Sequence, residues 1–378
     1  MDYIAVRSHP CASASKPATC LDDYMDQYLH ELRTGLRLKR RRAVPLSRSH
    51  IHVIAAVRNN LARYEESTGQ RLTLDDVGME FQRQFVSWNL DRGLSVNSLN
   101  DYMHIVRLIM RAAYDSKATR NADFMRPGFV PSAEEVDNIY LTSQQIEEMR
   151  TFDLTASDVR ERVRTIRTQR CGIGRIPEVQ FSLMMQQLAI SRDIFIVGCL
   201  TGQRRSDYSR ISKEMLTTLA GRRFIGLTQR KTEKKVYIPL DYRVLQILER
   251  YGGAMPYQSR NLFNRNIRII GELMGWTWKL ELNGKEQRFC DCITSHTARR
   301  SFATNAFIAG IPLSSIMAVT GHSREEHLRR YLRLDVEERG RLAAKDLSGF
   351  MQLRREEPAK PIPPATASQD VPIPEPRQ

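Results

Sequence analysis

The chain has 378 residues, 41% of them hydrophobic and 27% charged, a composition that suits two ordinary folded domains and excludes a disordered polymer. Its 58 Lys and Arg against 43 Asp and Glu leave a formal charge of +15, so polyanions are the expected partners, nucleic acid first and a membrane surface second. No continuous apolar run approaches the roughly 20 residues needed to span a bilayer, and the N-terminus lacks a secretory apolar stretch, so a cytoplasmic protein without membrane contact is expected.

Six cysteines (Cys11, Cys20, Cys171, Cys199, Cys290 and Cys292) are scattered along the chain, unlike the dense framework of a small secreted domain, and are read as reduced thiols. Cys290, Cys292 and His296 form a C-x-C-x₃-H cluster. Without a fourth partner nearby it reads as strand cysteines beside a functional histidine, not as a zinc site, and no metal is expected.

In chain order, residues 1–20 are a polar tail. Helical periodicity then sets in with Leu21, Met25, Tyr28 and Leu32, and returns with Ile51, Ile54, Val57, Leu61 and Tyr64. A third helix carries Phe81, Phe85 and Trp88 and stops at Asp91-Arg92-Gly93. Ser95 and Asn97 offer caps to a fourth, with Leu99, Met103, Val106, Met110 and Ala113 on one face. Residues 21–125 therefore read as a four-helix domain. Its basic run Lys39-Arg40-Arg41-Arg42 suits either phosphates or water. Residues 126–137, with Pro127, Gly128 and Pro131, read as a linker.

A larger domain of mixed helix and strand is predicted over 138–355. Residues 142–150 suit a helix. Residues 160–175 hold six arginines, readable as a DNA-contacting insertion or as a solvated basic helix. The apolar run DIFIVGCL precedes Thr201-Gly202-Gln203-Arg204. Two β-prone runs, 222–228 and 235–240, flank a charged turn containing Lys231 and read as a hairpin. A helix through Ala298, Phe302 and Ala306 ends at Gly310, and Pro312 opens a short one that closes at Gly321. Residues 335–353 form a last amphipathic helix, and the Pro-rich stretch 356–378 reads as a disordered tail. The fold class is mainly α with a small β-hairpin sheet.

Taken singly, the chemical residues are ordinary. Arg204 would pair with Asp207, Lys231 would face water, His296 and Arg299 would share the start of a helix, and Tyr331, nine residues after His322, would be a packing residue. Their conjunction and order are more specific. TGQRRSD, the hairpin QRKTEKKVYIPL, SHTARRSFATNAFIAGIPLSSIMAVTGHS and RRYL together resemble the catalytic domain of tyrosine recombinases of the phage integrase family. The region ending NSLNDYMHIVRLIMRAAY resembles that family's helical core-binding domain.

The resemblance implies a site-specific DNA recombinase with catalytic residues Arg204, Lys231, His296, Arg299, His322 and Tyr331, and Asp207 in support of Arg204. Two guanidinium forks suit the non-bridging phosphate oxygens and take the place of metal ions. A lysine can protonate the leaving 5′-oxygen, His296 can take the phenolic proton or hold the phosphate, and His322 can donate to an equatorial oxygen. The resemblance further implies a 3′-phosphotyrosine intermediate without cofactor, metal or ATP, and a homotetramer on synapsed double-stranded DNA, with an accessory DNA-bending protein as a further partner. Two other readings stand beside it: a type IB topoisomerase, and a catalytically silent DNA-binding regulator of the same fold.

Overall fold

The computed structural model describes residues 3–6, 20–39, 46–134, 136–171, 176–332, 340 and 343–344. The N-terminal tail beyond 3–6, residues 40–42 of the basic run, nearly all of the helix expected over 335–353 and the Pro-rich tail lie outside the described residues. The chain divides into two compact units, Met1–Val136 and Asp137–Gln378.

In the first unit, strand β1 (Tyr3–Val6) pairs antiparallel with β2 (Arg37–Lys39). Four helices supply the core: α1 (Leu21–Arg33), α2 (Arg48–Thr68), α3 (Met79–Asp91) and α4 (Val96–Asp115). The apolar faces read from periodicity converge there, with Met25, Tyr28, Ile54, Val57, Phe81, Phe85, Met103 and Val106 all in one buried cluster. Helix α2 starts where Ser47 accepts the His50 amide and ends at Gly69, whose φ of 67° fits the left-handed C-cap,. Ser95 caps α4, whereas Asn97 has another use: its side chain binds both the amide and the carbonyl of Glu134. Asn100 likewise holds the Pro131 carbonyl at 2.6 Å, and Phe124 and Phe129 are in the core. Within the stretch read as a linker, Phe129 is thus buried in this unit and Pro131 and Glu134 are tied to α4, because the aromatic ring buries more favourably than it would solvate,.

The second unit begins with α5 (Ser143–Thr151), capped by the reciprocal Thr142–Gln145 bonds of a capping box,. Helix α6 (Ser157–Cys171) and the long α7 (Glu178–Thr201) follow. Helix α7 is long and apolar enough to cross a membrane by length and composition, but it forms the middle of this unit, with Ile194, Phe195, Ile196 and Val197 all fully buried. The arginine-rich segment resolves into the α6 helix, and several of its charges are used internally. Arg160 and Arg164 pair with Glu178 at 2.8 and 2.6 Å and lie over the Phe181 ring, while Arg162 donates to the Leu273 carbonyl at 2.6 Å. These contacts fasten α6 to the core helices and account for arginine in place of lysine, since stacking and forked donation need the planar guanidinium. Residues 172–175 of the segment lie outside the described residues.

After the one-turn α8 (Arg205–Tyr208), strands β3 (Leu216–Leu219), β4 (Arg222–Thr228) and β5 (Lys235–Pro239) form an antiparallel sheet in the order β3-β4-β5. The predicted hairpin is β4–β5, with Thr228 opposite Lys235 and Ile225 opposite Ile238. Ile225, Leu227, Val236 and Ile238 alternate into the core,. Helices α9 (Tyr242–Arg250) and α10 (Arg260–Leu273) lead to a second hairpin, β6 (Lys279–Leu282) and β7 (Lys285–Arg288). Neither β3 nor this hairpin was expected. Cys290 and Cys292 sit on the one-turn α11 (Phe289–Cys292), not on a strand. The last described elements are α12 (Ser295–Ile308), α13 (Leu313–Thr320) and α14 (Glu325–Arg329).

Helices α7 and α12 approach closely because small residues meet at their contact. A Cβ on Gly198 would lie 3.0 Å from the Ala298 methyl, and one on Gly202 would lie 2.4 Å from the Phe302 ring. Gly202 also has a φ of 65° as the cap of α7, so it is held to glycine by both backbone and space. Replacing Gly202 by Ala is expected to lower stability by ~2 kcal/mol or more, seen as an earlier urea midpoint with an unchanged slope. An unchanged midpoint would refute the close packing.

Candidate active site

The α7–α12 contact delivers Arg299 into the interior. Its side chain is fully buried, and an isolated cation there would be costly. Two backbone carbonyls offset that cost: Nη1 donates to Gly202 O and Nη2 to Thr320 O, each at 2.8 Å. These carbonyls belong to the C-terminal ends of α7 and α13, where unpaired C=O groups and the helix dipole present partial negative charge. Burial nonetheless pulls the guanidinium down to about 10, with the nearby charge of Arg204 adding to the effect and the Tyr331 phenol opposing it. It remains a cation at neutral pH.

Around Arg299 stand three of the other predicted residues. His322 lies just beyond the Gly321 cap of α13 and is half-buried. Its Nε2 is 3.0 Å from Arg299 Nη2 and its Nδ1 is 2.8 Å from Thr320 Oγ1. The Thr320 hydroxyl spends its only proton on the Ile316 carbonyl at 2.7 Å, so His322 Nδ1 must carry the hydrogen and Nε2 must accept from Arg299. Both ring nitrogens are therefore engaged, and His322 is arranged as an acceptor where the sequence suggested a donor. Tyr331 follows α14, with its amide on Leu328 O at 2.8 Å and its carbonyl held by Thr304 Oγ1 at 3.2 Å. Its ring centroid is 5.1 Å from that of His322 and 5.5 Å from Arg299 Cζ. Arg204 caps α8 in an extended conformation and donates to Gln229 Oε1 at 3.4 Å.

The expected Arg204–Asp207 pair is not formed. Asp207 is fully buried and instead accepts the Arg230 backbone amide at 2.9 Å and Arg210 at 3.4 Å. It thereby anchors the first residue of the turn that carries Lys231, an indirect form of support. Lys231 itself is exposed in that turn and makes no hydrogen bond or ion pair among the described residues. Lys234, three residues on, reaches Ser323 Oγ at 2.7 Å, beside His322.

His296 and Arg299, three apart on α12, do not share an environment: Arg299 is buried and the imidazole is exposed. His296 has no hydrogen-bond partner among the described residues. Partial desolvation first, then the charges of Arg300, Arg299, Arg260 and Arg204, push it down to about 4. Desolvation followed by Arg299 and Arg204 pushes His322 down to about 3. Both rings are neutral at pH 7. The strongly cationic surroundings that disfavour imidazolium are those that would attract a phosphate.

Sequence reasoning missed Gln229 and Gln203, both fully buried. Gln229 Nε2 donates to Gln203 Oε1 at 2.7 Å and to Thr320 O at 2.9 Å, and Gln203 Nε2 donates to the carbonyls of Thr201 and Val319. Their only sequence signal was adjacency, one beside Arg204 and the other two residues before Lys231. The zinc reading gains no support: among the described residues, Cys290, Cys292 and His296 do not form a group with ligand atoms within 4.8 Å of one another.

Residues 175–338, within the second unit, match the phage integrase family. Three solved structures have a similar fold. The Tn1549 transposon integrase in complex with transposon right end DNA has a TM-score of 0.58 at 12% identity, covering 87% of this chain and 99% of its own. A lambda integrase dimer bound to a core site has a TM-score of 0.56 at 14% identity, covering 85% and 97%. The XerH site-specific recombinase bound to a palindromic difH substrate has a TM-score of 0.55 at 13% identity, covering 88% and 97%. A comparison with curated protein sequences yields no match.

The depressed histidines make stability depend on pH. The unfolded chain takes up a proton on each ring near the ordinary 6.5, whereas the folded rings wait until about 4 and 3. Between those limits the unfolded state binds more protons, so stability is greatest above pH 6.5 and falls as pH drops. Urea midpoints of the wild type should decline from pH 7 to pH 4 more steeply than those of His322→Asn. Parallel declines would show that His322 titrates normally in the fold.

Proposed function

We propose that this chain is a site-specific DNA recombinase of the tyrosine type, with Tyr331 as nucleophile. The observation that carries the reading is the buried, carbonyl-braced Arg299 with His322, Tyr331 and Arg204 gathered around it. A pair of guanidinium groups beside a phenol is suited to phosphodiester cleavage, since they can bind the non-bridging oxygens and stay charged as negative charge grows on phosphorus.

In the proposed step the Tyr331 oxygen attacks phosphorus while the bond from phosphorus to the 5′-oxygen breaks. The phenolic proton passes to His296, the neutral imidazole whose nitrogens have no partner among the described residues. Lys231 gives a proton to the leaving 5′-oxygen, and its exposed place in the β4–β5 turn leaves the ammonium available to DNA. The product is a 3′-phosphotyrosine ester and a free 5′-hydroxyl, and attack by a 5′-hydroxyl of another strand reverses the step and exchanges partners. Support for DNA as substrate comes from the +15 charge of the chain and from the DNA-bound structures of similar fold, among them a lambda integrase tetramer on a Holliday junction. A tetramer of this chain on two duplexes is the corresponding assembly.

The test is a suicide-substrate assay in EDTA. Nicked duplexes from the DNA flanking its own gene are incubated with wild type and Tyr331→Phe, and a covalent protein–DNA band is sought on a denaturing gel. Wild type should give the band and Tyr331→Phe none; a band from both would place the nucleophile elsewhere, and relaxation of plasmids lacking any specific site would favour the topoisomerase reading. In the same assay Lys231→Ala should slow cleavage by about 10²-fold or more. Lys234→Ala, which loses one exposed contact to Ser323, should slow it less than about tenfold. The reverse order would make Lys234 the acid.

A further inference from the structure

We infer that Gln229 is a positioning residue that locks the Lys231 turn onto the arginine–histidine cluster, an inference that rests on the reading above. Gln229 ends the β4 side of the hairpin and is fully buried, and its amide makes four contacts in four directions. Oε1 accepts Thr232 Oγ1 at 2.7 Å and Arg204 Nη1 at 3.4 Å. Nε2 donates to Gln203 Oε1 at 2.7 Å and to Thr320 O at 2.9 Å. The amide orientation follows from the network: Gln203 uses its own Nε2 on the Thr201 and Val319 carbonyls, so its oxygen must face a donor.

Each contact leads to a different part of the site. Thr232 adjoins Lys231 in the turn. Arg204 is one of the two guanidinium groups. The Thr320 carbonyl accepts from Arg299 as well, at 2.8 Å, so Gln229 and Arg299 share one acceptor two residues before His322. Backbone bonds close the turn around the same residue, Gln229 N to Lys234 O and Glu233 N to Gln229 O, both at 2.8 Å. Gly321 leaves the room: a Cβ there would lie 2.4 Å from Gln229 Oε1.

The residue type is demanding. A glutamate would set an acceptor against the Thr320 and Gln203 oxygens, a leucine would leave buried partners unpaired, and an asparagine is one methylene short. Since Lys231 has no partner of its own among the described residues, the position of its ammonium depends on how firmly its turn is held. The Asp207 bond to the Arg230 amide holds one side of that turn, and the Gln229–Thr232 bond holds the other.

The experiment separates leaving-group protonation from the rest of the site. Single-turnover cleavage of the nicked substrate is compared with cleavage of the same DNA carrying sulfur in place of the leaving 5′-oxygen, because a thiolate departs without a proton. Thr232→Val removes only the hydroxyl that ties the turn to Gln229, at a half-buried loop position, so the protein should remain folded. Thr232→Val and Gln229→Leu are each expected to slow the oxygen substrate about tenfold or more. On the sulfur substrate both should stay within about threefold of wild type, as Lys231→Ala should. Equal losses on the two substrates, or Thr232→Val matching wild type on oxygen, would overturn the role of Gln229 while leaving the recombinase reading intact. A wild type inert on both substrates would overturn both. If Gln229→Leu does not fold, Thr232→Val decides the matter alone.

Discussion

The second domain is organised around the burial of one charge. Among the described residues Arg299 has no carboxylate partner; its guanidinium is held by the terminal carbonyls of α7 and α13, so the cation is stabilised by helix ends that would otherwise carry unsatisfied acceptors,. This demands that both helices stop where they do, at Gly202 and Gly321, and that both caps adopt the left-handed conformation,. It also demands that α7 and α12 approach without intervening side chains. The glycine caps, the small-residue contact and the placement of His322 are thus consequences of one electrostatic requirement.

Around that cation the polar groups form a connected set. Thr320 is the joint: its carbonyl accepts from Arg299 and Gln229, and its hydroxyl fixes the His322 tautomer while donating to Ile316. Such a network is valuable only when complete, because a buried polar group left without a partner costs as much as the bond it lost. Some atoms remain unpaired within the protein, notably Arg299 Nε and Asp207 Oδ2.

The basic charge divides into two populations. On α6 the arginines are engaged with Glu178, Phe181 and the end of α10, so a segment readable as a DNA-contacting insertion or as a solvated basic helix is in good part internal bracing. Near His296, by contrast, partial desolvation holds the ring neutral, and the charges of Arg300, Arg299, Arg260 and Arg204 add to it. Net charge states the sign of the partner, but only geometry separates arginines that brace the fold from those that face a ligand.

Much of the architecture was legible in the chain itself. The four helices of the first unit follow from apolar residues spaced three and four apart, the hairpin from β-prone runs flanking a charged turn, and the ends of α7 and α13 from glycine after an apolar run, because these depend on local chemistry alone. Strand β3 and the burial of Phe129 were not legible, since each is stabilised by surfaces distant in sequence,. The family resemblance pointed to Arg204, Lys231, His296, Arg299, His322 and Tyr331, and the fold draws Arg204, Arg299, His322 and Tyr331 into one cluster. It did not point to Gln229, a glutamine in a polar turn by sequence and a buried junction in space, nor to Asp207 holding a backbone amide in place of Arg204. By itself the sequence determined which residue types are present and which local elements they form, because propensity, periodicity and capping act over a few residues. Only the tertiary structure decided which of those residues lose water, because desolvation depends on what other elements cover them, and that loss makes Arg299 a braced cation and His322 a neutral acceptor.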